Sequence, residues 1–282
     1  MLMQKPTHPV SRQTWRTEGI ERGSRVIPEE TAVALTYNGG CHAVMMATPQ
    51  DLRDFAIGFS LNEGIVNGSA EFLSIETVSV DDGIELRMWL EPPKAERLSQ
   101  RRRHIAGPTG CGLCGLESIA EAVRPCAAVG AGRSFSQAQI MAAVQGIAPL
   151  QKINIETRAV HAAAFWMQDR GVAALREDVG RHNALDKLAG AMEQEGLAAG
   201  DGMVLLTSRV SVEMVQKTAA IGAAVLVSIS APTAAAVRMA RAAGITLVAI
   251  ARDDGFEVFT HPHRILTPLR ASSTAIHSRL GM

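Results

Sequence analysis

Two cysteines separated by two residues lie in a glycine-rich stretch, Gly107-Pro108-Thr109-Gly110-Cys111-Gly112-Leu113-Cys114-Gly115. Glycine adopts backbone angles closed to other residues and has no side chain to shield a neighbour, so an exposed, mobile loop is predicted. The apolar spacing of residues 116–123 predicts a short helix after the loop. Cys114 would then lie at or just before a helix N-terminus, whose partial positive charge favours a thiolate. The arginines and histidine of residues 101–104 could favour the thiolate of Cys111 in the same way.

Three kinds of chemistry fit this pair of thiols. A zinc site needs two more ligands, and a second C-x-x-C is missing; Cys126 with scattered histidines is a weak substitute. A thioredoxin-type exchanger usually carries its C-x-x-C after the first strand of its fold rather than on a long linker. Persulfide carriage needs an exposed thiolate and accepts a second thiol as helper, so it fits the pair best and disulfide chemistry ranks second.

Composition indicates an ordinary globular protein. The 282 residues hold 28 Lys plus Arg against 28 Asp plus Glu, a balance that gives no sign of nucleic acid or membrane surface as partner. Four cysteines fit a reducing compartment. Residues 1–15 lack the apolar run of a signal peptide, and the most apolar stretch, 223–237, is interrupted by polar residues. A cytoplasmic protein without a resident metal is therefore expected.

The chain divides into three predicted parts. Residues 1–28 are polar and aperiodic and predict an irregular N-terminal arm. Residues 29–110 predict a small α+β part that ends in a linker loop. It would hold two hairpins and a helix capped by Thr48, with strands at Thr31–Tyr37, Cys41–Ala47, Phe72–Val80 and Ile84–Leu90. Residues 111–282 predict an α/β part with the cysteine loop at its start.

The last third of the chain gives the clearest signal. Met203–Thr207, Ala224–Ile229 and Ile245–Ile250 are continuous apolar runs separated by helical segments, which is typical of strands buried on both faces. The order β-α-β-α-β predicts a mostly parallel sheet with right-handed crossovers.

Ligands of open α/β sheets bind beyond the carboxyl ends of the strands. Those ends carry Thr207-Ser208-Arg209, Ser230-Ala231-Pro232-Thr233 and residues 251–255. Hydroxyls, helix N–H groups and the guanidinium groups of Arg209 and Arg252 would together attract phosphate. No G-x-G-x-x-G fingerprint directly follows a predicted strand, and no P-loop is present, so a conventional dinucleotide or nucleotide-hydrolase site is unsupported.

A second polar motif, Glu177-Asp178-Val179-Gly180-Arg181-His182-Asn183, packs two carboxylates, a guanidinium, an imidazole and an amide around a glycine. Such density favours a functional site, although a hydrogen-bonded loop brace would use the same residues. His161 precedes an alanine-rich stretch and is more typical of a satisfied core residue than of a catalyst.

Several of these motifs resemble the FdhD-type accessory sulfurtransferases of formate dehydrogenase. The resemblance extends over roughly residues 31–265, and the eleven residues from Glu177 to Lys187 are its most specific part. It rests on Asn38-Gly39, residues 46–55, Gly58-Phe59, Gly110–Gly115, His161–Ala164, Glu177–Lys187, Thr207-Ser208-Arg209, Glu213, Lys217, Ser230–Thr233 and Val258–His261.

The resemblance implies a mechanism. A cysteine desulfurase would pass sulfane sulfur to Cys111, with Cys114 assisting. The sulfur would then reach the molybdenum cofactor in its bis(molybdopterin guanine dinucleotide) form before or during insertion into the formate dehydrogenase catalytic subunit, and GDP should mimic that cofactor. The resemblance also implies a homodimer and a cytidine-deaminase-like fold. Deaminase chemistry is not expected, because His161-Ala162-Ala163 lacks the glutamate of H-x-E.

The predicted cofactor-binding residues come from both lines of reasoning. The resemblance maps the family's cofactor segment onto Ile250-Ala251-Arg252-Asp253-Asp254-Gly255, at a strand end. The further residues are Ser208, Arg209, His161 and Arg181. Asp253 and Asp254 depart from the more basic segment typical of the family, and carboxylates disfavour a phosphate.

Overall fold

The computed structural model describes residues 5–94 and 125–266. Strands β1 (Thr7–Arg16) and β2 (Gly19–Pro28) form a long antiparallel hairpin, paired from Thr7 opposite Pro28 to Arg16 opposite Gly19. The prediction of an irregular segment was therefore wrong for residues 7–28. The hairpin escapes sequence analysis because most side chains are exposed on both of its faces, so no alternation of apolar and polar residues marks its strands.

A four-stranded sheet follows, built from β3 (Thr31–Tyr37), β4 (Gly40–Ala47), β5 (Phe72–Val80) and β6 (Gly83–Leu90) in the order β4-β3-β6-β5. The two predicted hairpins are confirmed. Asn38 and Gly39 both have positive φ, as a two-residue hairpin turn requires. One face of the sheet packs on helix α1 (Leu52–Asn62), where Phe55 and Phe59 meet strand residues such as Leu35 and Leu86.

The start of α1 differs from the prediction. Thr48 was expected to cap the helix, but the N-cap is Asp51, which has a left-handed backbone and makes no capping bond with its side chain. Thr48 is buried and bonded to the segment that begins at Asp178 instead. The connection between β4 and α1 therefore serves a tertiary contact rather than a local cap.

The second sheet has six strands in the order β13-β12-β11-β10-β8-β9. They are β8 (His161–Met167), β9 (Gly171–Asp178), β10 (Gly202–Leu206), β11 (Val225–Ser228), β12 (Thr246–Arg252) and β13 (Gly255–Val258). Strands β10, β11 and β12 are parallel, which confirms that the three apolar runs are neighbouring buried strands. The remaining pairings are antiparallel, so the sheet is mixed and not mostly parallel. The departure arises because a β-hairpin, rather than a crossover helix, supplies the outer strand at each side.

Helices cover both faces of this sheet. α4 (Arg181–Glu195), α5 (Val212–Ile221) and α6 (Ala234–Ala242) bury residues such as Leu188 and Met214 against one face, while α2 (Gln137–Ile147) buries Ile140 against the other. Ser136 caps α2 through a reciprocal capping box with Gln139. The described residues also include α3 (Lys152–Thr157), four short 3-10 turns and two short paired strands, β7 (Phe135–Ser136) and β14 (Ile265–Leu266).

The two sheets are joined by a close crossing of α1 and α4. A Cβ atom added to Gly58 would lie 1.7 Å from the carbonyl oxygen of Asp186, and one added to Gly190 would lie 2.0 Å from that of Asp54. The helices therefore pack backbone against backbone, which only glycine permits. Within the described residues, no helix is both long enough and apolar enough to cross a membrane.

Candidate functional site

The loops that leave the parallel strands are hydrogen-bonded to one another. The N–H of Val210 donates to the carbonyl of Ala231 (3.2 Å), and the N–H of Thr233 donates back to Val210 (3.0 Å). Further along the edge, the N–H of Ile250 donates to the carbonyl of Ser230 (3.1 Å). The three predicted strand ends thus form one continuous edge.

Strand β8 adds a fourth element to this edge because it runs antiparallel to β10. Thr207 exchanges hydrogen bonds with Ala162: its hydroxyl accepts from the Ala162 N–H at 2.8 Å, and its own N–H donates to the Ala162 carbonyl at 3.1 Å. His161, next along β8, is directly opposite Asp178 of β9. The structure therefore brings His161 to the edge that holds Ser208.

Asp178 fixes the start of α4. Its Oδ1 accepts from the N–H of Gly180 (2.7 Å) and from the side-chain amide of Asn183 (3.0 Å). Its Oδ2 accepts from the N–H of Thr48 (3.0 Å) and lies 2.6 Å from Nζ of Lys187. This carboxylate has no exposed surface, so its role is to hold the loop rather than to meet a ligand.

Glu177 holds a different element. Its two oxygens accept from the backbone N–H groups of Ile153 (2.9 Å) and Asn154 (2.8 Å) at the start of α3. Burial raises the pKa of this carboxyl, and the two N–H donors partly offset the effect. Both carboxylates, Glu177 and Asp178, therefore hold loops in place. This agrees with the alternative given in the sequence analysis, a hydrogen-bonded loop brace.

Arg181 and His182 belong to the first turn of α4 and lie at the strand-end edge. His182 Nε2 is 3.1 Å from a carboxylate oxygen of Glu213 on α5. Burial lowers the pKa of His182, and the charge of Glu213 opposes that effect. The pKa of His161 is also lowered, chiefly by burial and then by the positive charge of Arg181. The positive charge of Arg181 therefore acts on His161 at this edge.

Two buried polar atoms that can donate lie unpaired at this edge. Within the described part of the chain, Nε of Arg181 and Oγ of Ser211 are buried without a hydrogen-bond partner. Ser211 is the N-cap of α5 but makes no capping bond with its side chain, so the first-turn N–H groups of α5 lack that acceptor. Arg209 is exposed beside them. Unpaired donors, a helix N-terminus and a guanidinium suit a phosphate group, so these residues fit a phosphate-bearing ligand.

The segment predicted to contact the cofactor divides into two pieces. Ile250 and Ala251 lie at the end of β12, inside the hydrogen-bonded edge. Ile250 has φ of 54°, a left-handed conformation that is strained for a β-branched residue and coincides with a bulge in the pairing of β12 with β13. Strain of this kind is concentrated at functional sites.

The second piece is the turn that joins β12 to β13. Arg252, Asp253 and Asp254 are exposed on this turn, and Gly255 lies opposite Arg252. Within the described residues, no hydrogen bond or ion pair links their side chains to Ser208, His161 or Arg181. Ser208 itself is buried, and its carbonyl accepts from the hydroxyl of Ser228 at 2.7 Å. Thr233 serves as an ordinary N-cap for α6, with its hydroxyl accepting from Ala236.

Three residues that support the site were not among the predicted site residues: Thr48, Asn183 and Lys187. Asn183 donates to the carbonyl of Met46 (2.8 Å), and Lys187 donates to the carbonyl of Thr48 (2.8 Å). Asn183 and Lys187 are four residues apart and so lie on the same side of α4, and this spacing is the one feature of the local sequence that links them. Their partners come from a segment about 140 residues earlier. Cys111 and Cys114, with the arginine run of residues 101–103, lie outside the described residues.

The architecture defines a class first: a mixed α/β protein whose strand ends form one hydrogen-bonded edge. Residues 28–266 match the FdhD/NarQ family, and the chain belongs to that family. It is 51% identical over 258 residues to a protein of Agrobacterium fabrum named sulfur carrier protein FdhD, with 91% of this chain and 95% of the relative covered. A protein of Brucella abortus with the same name is 49% identical over 267 residues, with 94% and 99% covered.

Among solved structures, the chain is similar to a protein of Desulfotalea psychrophila described as a formate dehydrogenase accessory protein. The TM-score is 0.73 at 23% identity, and the match covers 92% of this chain and 99% of the other. The two proteins share their fold.

Proposed function

We propose that this chain is a sulfur carrier that serves formate dehydrogenase. The observation that carries the proposal is the similarity over nine-tenths of the chain to proteins named sulfur carrier protein FdhD. The C-x-x-C pair supports it independently, because glycines on both sides suit a thiolate that must meet a large partner.

The proposed first step is a sulfurtransferase reaction with a cysteine desulfurase. The thiolate of Cys111 attacks the terminal sulfur of the desulfurase persulfide. The S–S bond of that persulfide breaks, and the desulfurase cysteine leaves as a thiolate. Cys111 then carries the sulfur as a persulfide, with Cys114 as the assisting thiol. No net oxidation or reduction is needed, because the sulfane sulfur only moves between thiolates.

The proposed recipient is the bis(molybdopterin guanine dinucleotide) molybdenum cofactor, bound as a substrate and delivered to the formate dehydrogenase catalytic subunit. Support comes from the strand-end edge, where Arg181, Arg209 and the N-terminus of α5 offer donors to phosphate. GDP is a reasonable probe for this edge because it has the same guanine and pyrophosphate groups. A homodimer is part of the proposal, and the likeness to cytidine deaminases stays a prediction.

The first experiment is peptide mass spectrometry after incubation with a purified cysteine desulfurase and cysteine. We expect one added, reductant-labile sulfur on the peptide that holds Cys111. The addition should disappear in Cys111→Ala and persist at lower yield in Cys114→Ala. Cys41 is an internal control, because its side chain is exposed on β4 and should stay unmodified.

The other outcomes are informative. An unmodified chain beside an active desulfurase would contradict sulfur carriage and favour a cofactor-binding chaperone. Reductase turnover that needs both thiols would favour a disulfide enzyme. GDP binding measured on Cys111→Ala keeps the two halves of the proposal separate, because loss of the thiol should leave the strand-end edge intact.

A further inference from the structure

A cavity of about 430 Å³ lies where the last turns of three helices meet. Leu61 and Asn62 line it from the end of α1, Met192 and Glu193 from the end of α4, and Ile221 from the end of α5. Its volume is within the range of small-molecule sites, about 300–1,000 Å³. We call this space the helix-end cavity.

The helix-end cavity is separate from the strand-end edge. Helices α4 and α5 begin near that edge, at Arg181 and Val212, and their other ends line the cavity. The ten residues of α5 span about 15 Å. Ala198 and Ala199, which also line the cavity, lead into the start of β10, whereas Ser208 follows its end. A ligand of the cavity is therefore distinct from the phosphate-bearing ligand proposed for the edge.

The floor of the helix-end cavity is apolar, whereas its rim is open. Val66, Ala189 and Met192 line the cavity with side chains that are almost completely buried. Gly64 and Gly196 line it with exposed surface, so solvent can enter. An alkyl chain on this floor would lose contact with water, which favours binding.

Asn62 supplies an acceptor without a partner. Its Nδ2 donates to Oδ1 of Asp186 at 2.6 Å, and its Oδ1 is buried with no hydrogen bond to any described residue. The amide is fixed in this orientation, because turning it would place Oδ1 against a carboxylate that Lys217 already holds through both oxygens (2.7 and 2.9 Å). The amide oxygen is therefore the atom of Asn62 that remains for a donor in the cavity.

Glu193 supplies a charged acceptor. Its Oε1 accepts from the N–H of Ser69 at 2.7 Å, a bond that holds the side chain in place. Its Oε2 accepts no hydrogen bond from the residues that the structure describes. Among the described lining residues this carboxylate is the one charged group, so lysine and arginine do not offset it there.

The helix ends add to the negative potential. Each helix C-terminus carries about half a negative charge on carbonyl groups that lack an intrahelical partner. Both α4 and α5 end at the cavity, next to Gly196 and Gly222. Within the described residues no group of three His, Cys, Asp or Glu side chains could hold a metal ion, so an organic cation suits this potential better than a metal.

We propose that the helix-end cavity binds a small organic cation, an alkylammonium or alkylguanidinium ion. The N–H groups of the cation donate to the carboxylate of Glu193 and to the amide oxygen of Asn62. The alkyl chain packs on Met192 and Val66. This inference goes beyond the proposed function, because neither the strand-end edge nor the cysteine pair takes part in the cavity.

Agmatine is the probe, because it carries a guanidinium and an ammonium group on a four-carbon chain. The full chain is labelled with ¹³C at its methionine methyl groups, and the Met192 signal is assigned with Met192→Leu. We expect agmatine to shift this signal saturably. At the same concentrations 1-butanol and pentanoate, which join a neutral or an anionic head to a four-carbon chain, should leave it unshifted.

Three variants locate the binding. Glu193→Gln keeps an acceptor for the Ser69 N–H but removes the charge, so agmatine should bind about tenfold more weakly. Ala220→Phe adds a ring at an exposed position of the lining, where it should obstruct the cavity and abolish binding. Glu21→Gln removes an exposed carboxylate of β2 and should leave agmatine binding unchanged.

Several results would overturn the proposal: no shift of the Met192 signal, equal shifts with 1-butanol, or equal affinity of wild type and folded Glu193→Gln. Tighter binding of a glycine pentapeptide with a central arginine would assign the cavity to a protein side chain instead of a free cation. Glu193→Gln should bind GDP and accept sulfur as the wild type does. Those two readouts distinguish failure of this inference from failure of the proposed function.

Discussion

The ammonium nitrogen of Lys187 lies 2.6 Å from Oδ2 of Asp178, and neither side chain has any exposed surface. The same two groups hold Thr48: its N–H donates to Asp178, and its carbonyl accepts from Lys187. Burying two opposite charges away from water costs free energy, and burying one of them without its partner costs much more. The pair therefore binds the connection before α1 to the first turns of α4, which present Arg181 to the strand-end edge.

Replacing Lys187 by methionine should destabilise the protein by about 3–5 kcal/mol, because Asp178 would stay buried without its counter-charge. Urea unfolding followed by circular dichroism measures the change. The double variant D178N/K187M should recover part of the loss, since neither charge remains. A K187M variant as stable as wild type would contradict the role assigned to the pair.

The crossing of α1 and α4 should not tolerate a methyl group. Gly58→Ala would place Cβ on the backbone of Asp186, and we expect a loss of about 1–3 kcal/mol or more, because backbone cannot move aside as a side chain can. Gly200→Ala is the matched control: nothing lies within 4 Å of its added Cβ. Thermal unfolding of both variants decides the matter, and equal melting temperatures would argue against backbone packing at the crossing.

Protonation of His161 should weaken the fold. Its pKa is held below the ordinary 6.5, mainly by burial and then by Arg181. The folded chain thus binds this proton less readily than the unfolded chain. The contribution to stability is intact above pH 6.5, the pKa of the unfolded chain, and is lost as the pH falls from there through the lower pKa of the folded chain.

His161→Gln isolates this effect from the other titrating groups. The stability of the wild-type chain relative to His161→Gln should decrease between pH 7.5 and pH 5.5, as measured by thermal unfolding at each pH. An NMR titration of the His161 ring should give a midpoint below 6.5. A midpoint at or above that value would show that burial does not control this histidine.

Asp253 and Asp254 should oppose a phosphate-bearing ligand. Their exposed carboxylates lie on the turn after Ile250, so D253N/D254N should tighten GDP binding by about two- to fivefold at low salt, as exposed charges do. Calorimetric titration at low and high salt measures this, and the gain should shrink as salt screens the charges. E156Q, which removes an exposed carboxylate on α3, is the control for net charge. Unchanged affinity at low salt would place the phosphates away from this turn.

Arg209 should act in the opposite direction. It is an exposed guanidinium beside the N-terminus of α5, and Arg209→Ala should weaken GDP binding by about three- to tenfold, the range of a charge-assisted hydrogen bond at a partly exposed site. Arg170→Ala removes an exposed arginine from the turn before β9 and should leave GDP binding unchanged. If both substitutions have the same effect, Arg209 contributes only general charge.

The sequence predicted those elements whose pattern is local. The buried runs that became β10, β11 and β12 are continuous and apolar, so their placement at the centre of a sheet followed from that continuity. The hairpin of β1 and β2 was not predicted, because strands exposed on both faces show no alternation of apolar and polar residues. The antiparallel pairings of the six-stranded sheet were also not predicted, because the residues of one strand do not show whether its neighbour in the sheet is parallel or antiparallel.

The sequence by itself determined the cysteine pair, the parallel strand core and the family to which the chain belongs, since each depends on residue type and short spacing. The tertiary structure alone decided that Thr48 meets Asp178 rather than capping a helix, and that His182 lies beside Glu213. Those contacts join residues far apart in the chain. Whether a buried carboxylate braces a loop or meets a ligand depends on the donors that packing brings to it, which no local pattern encodes.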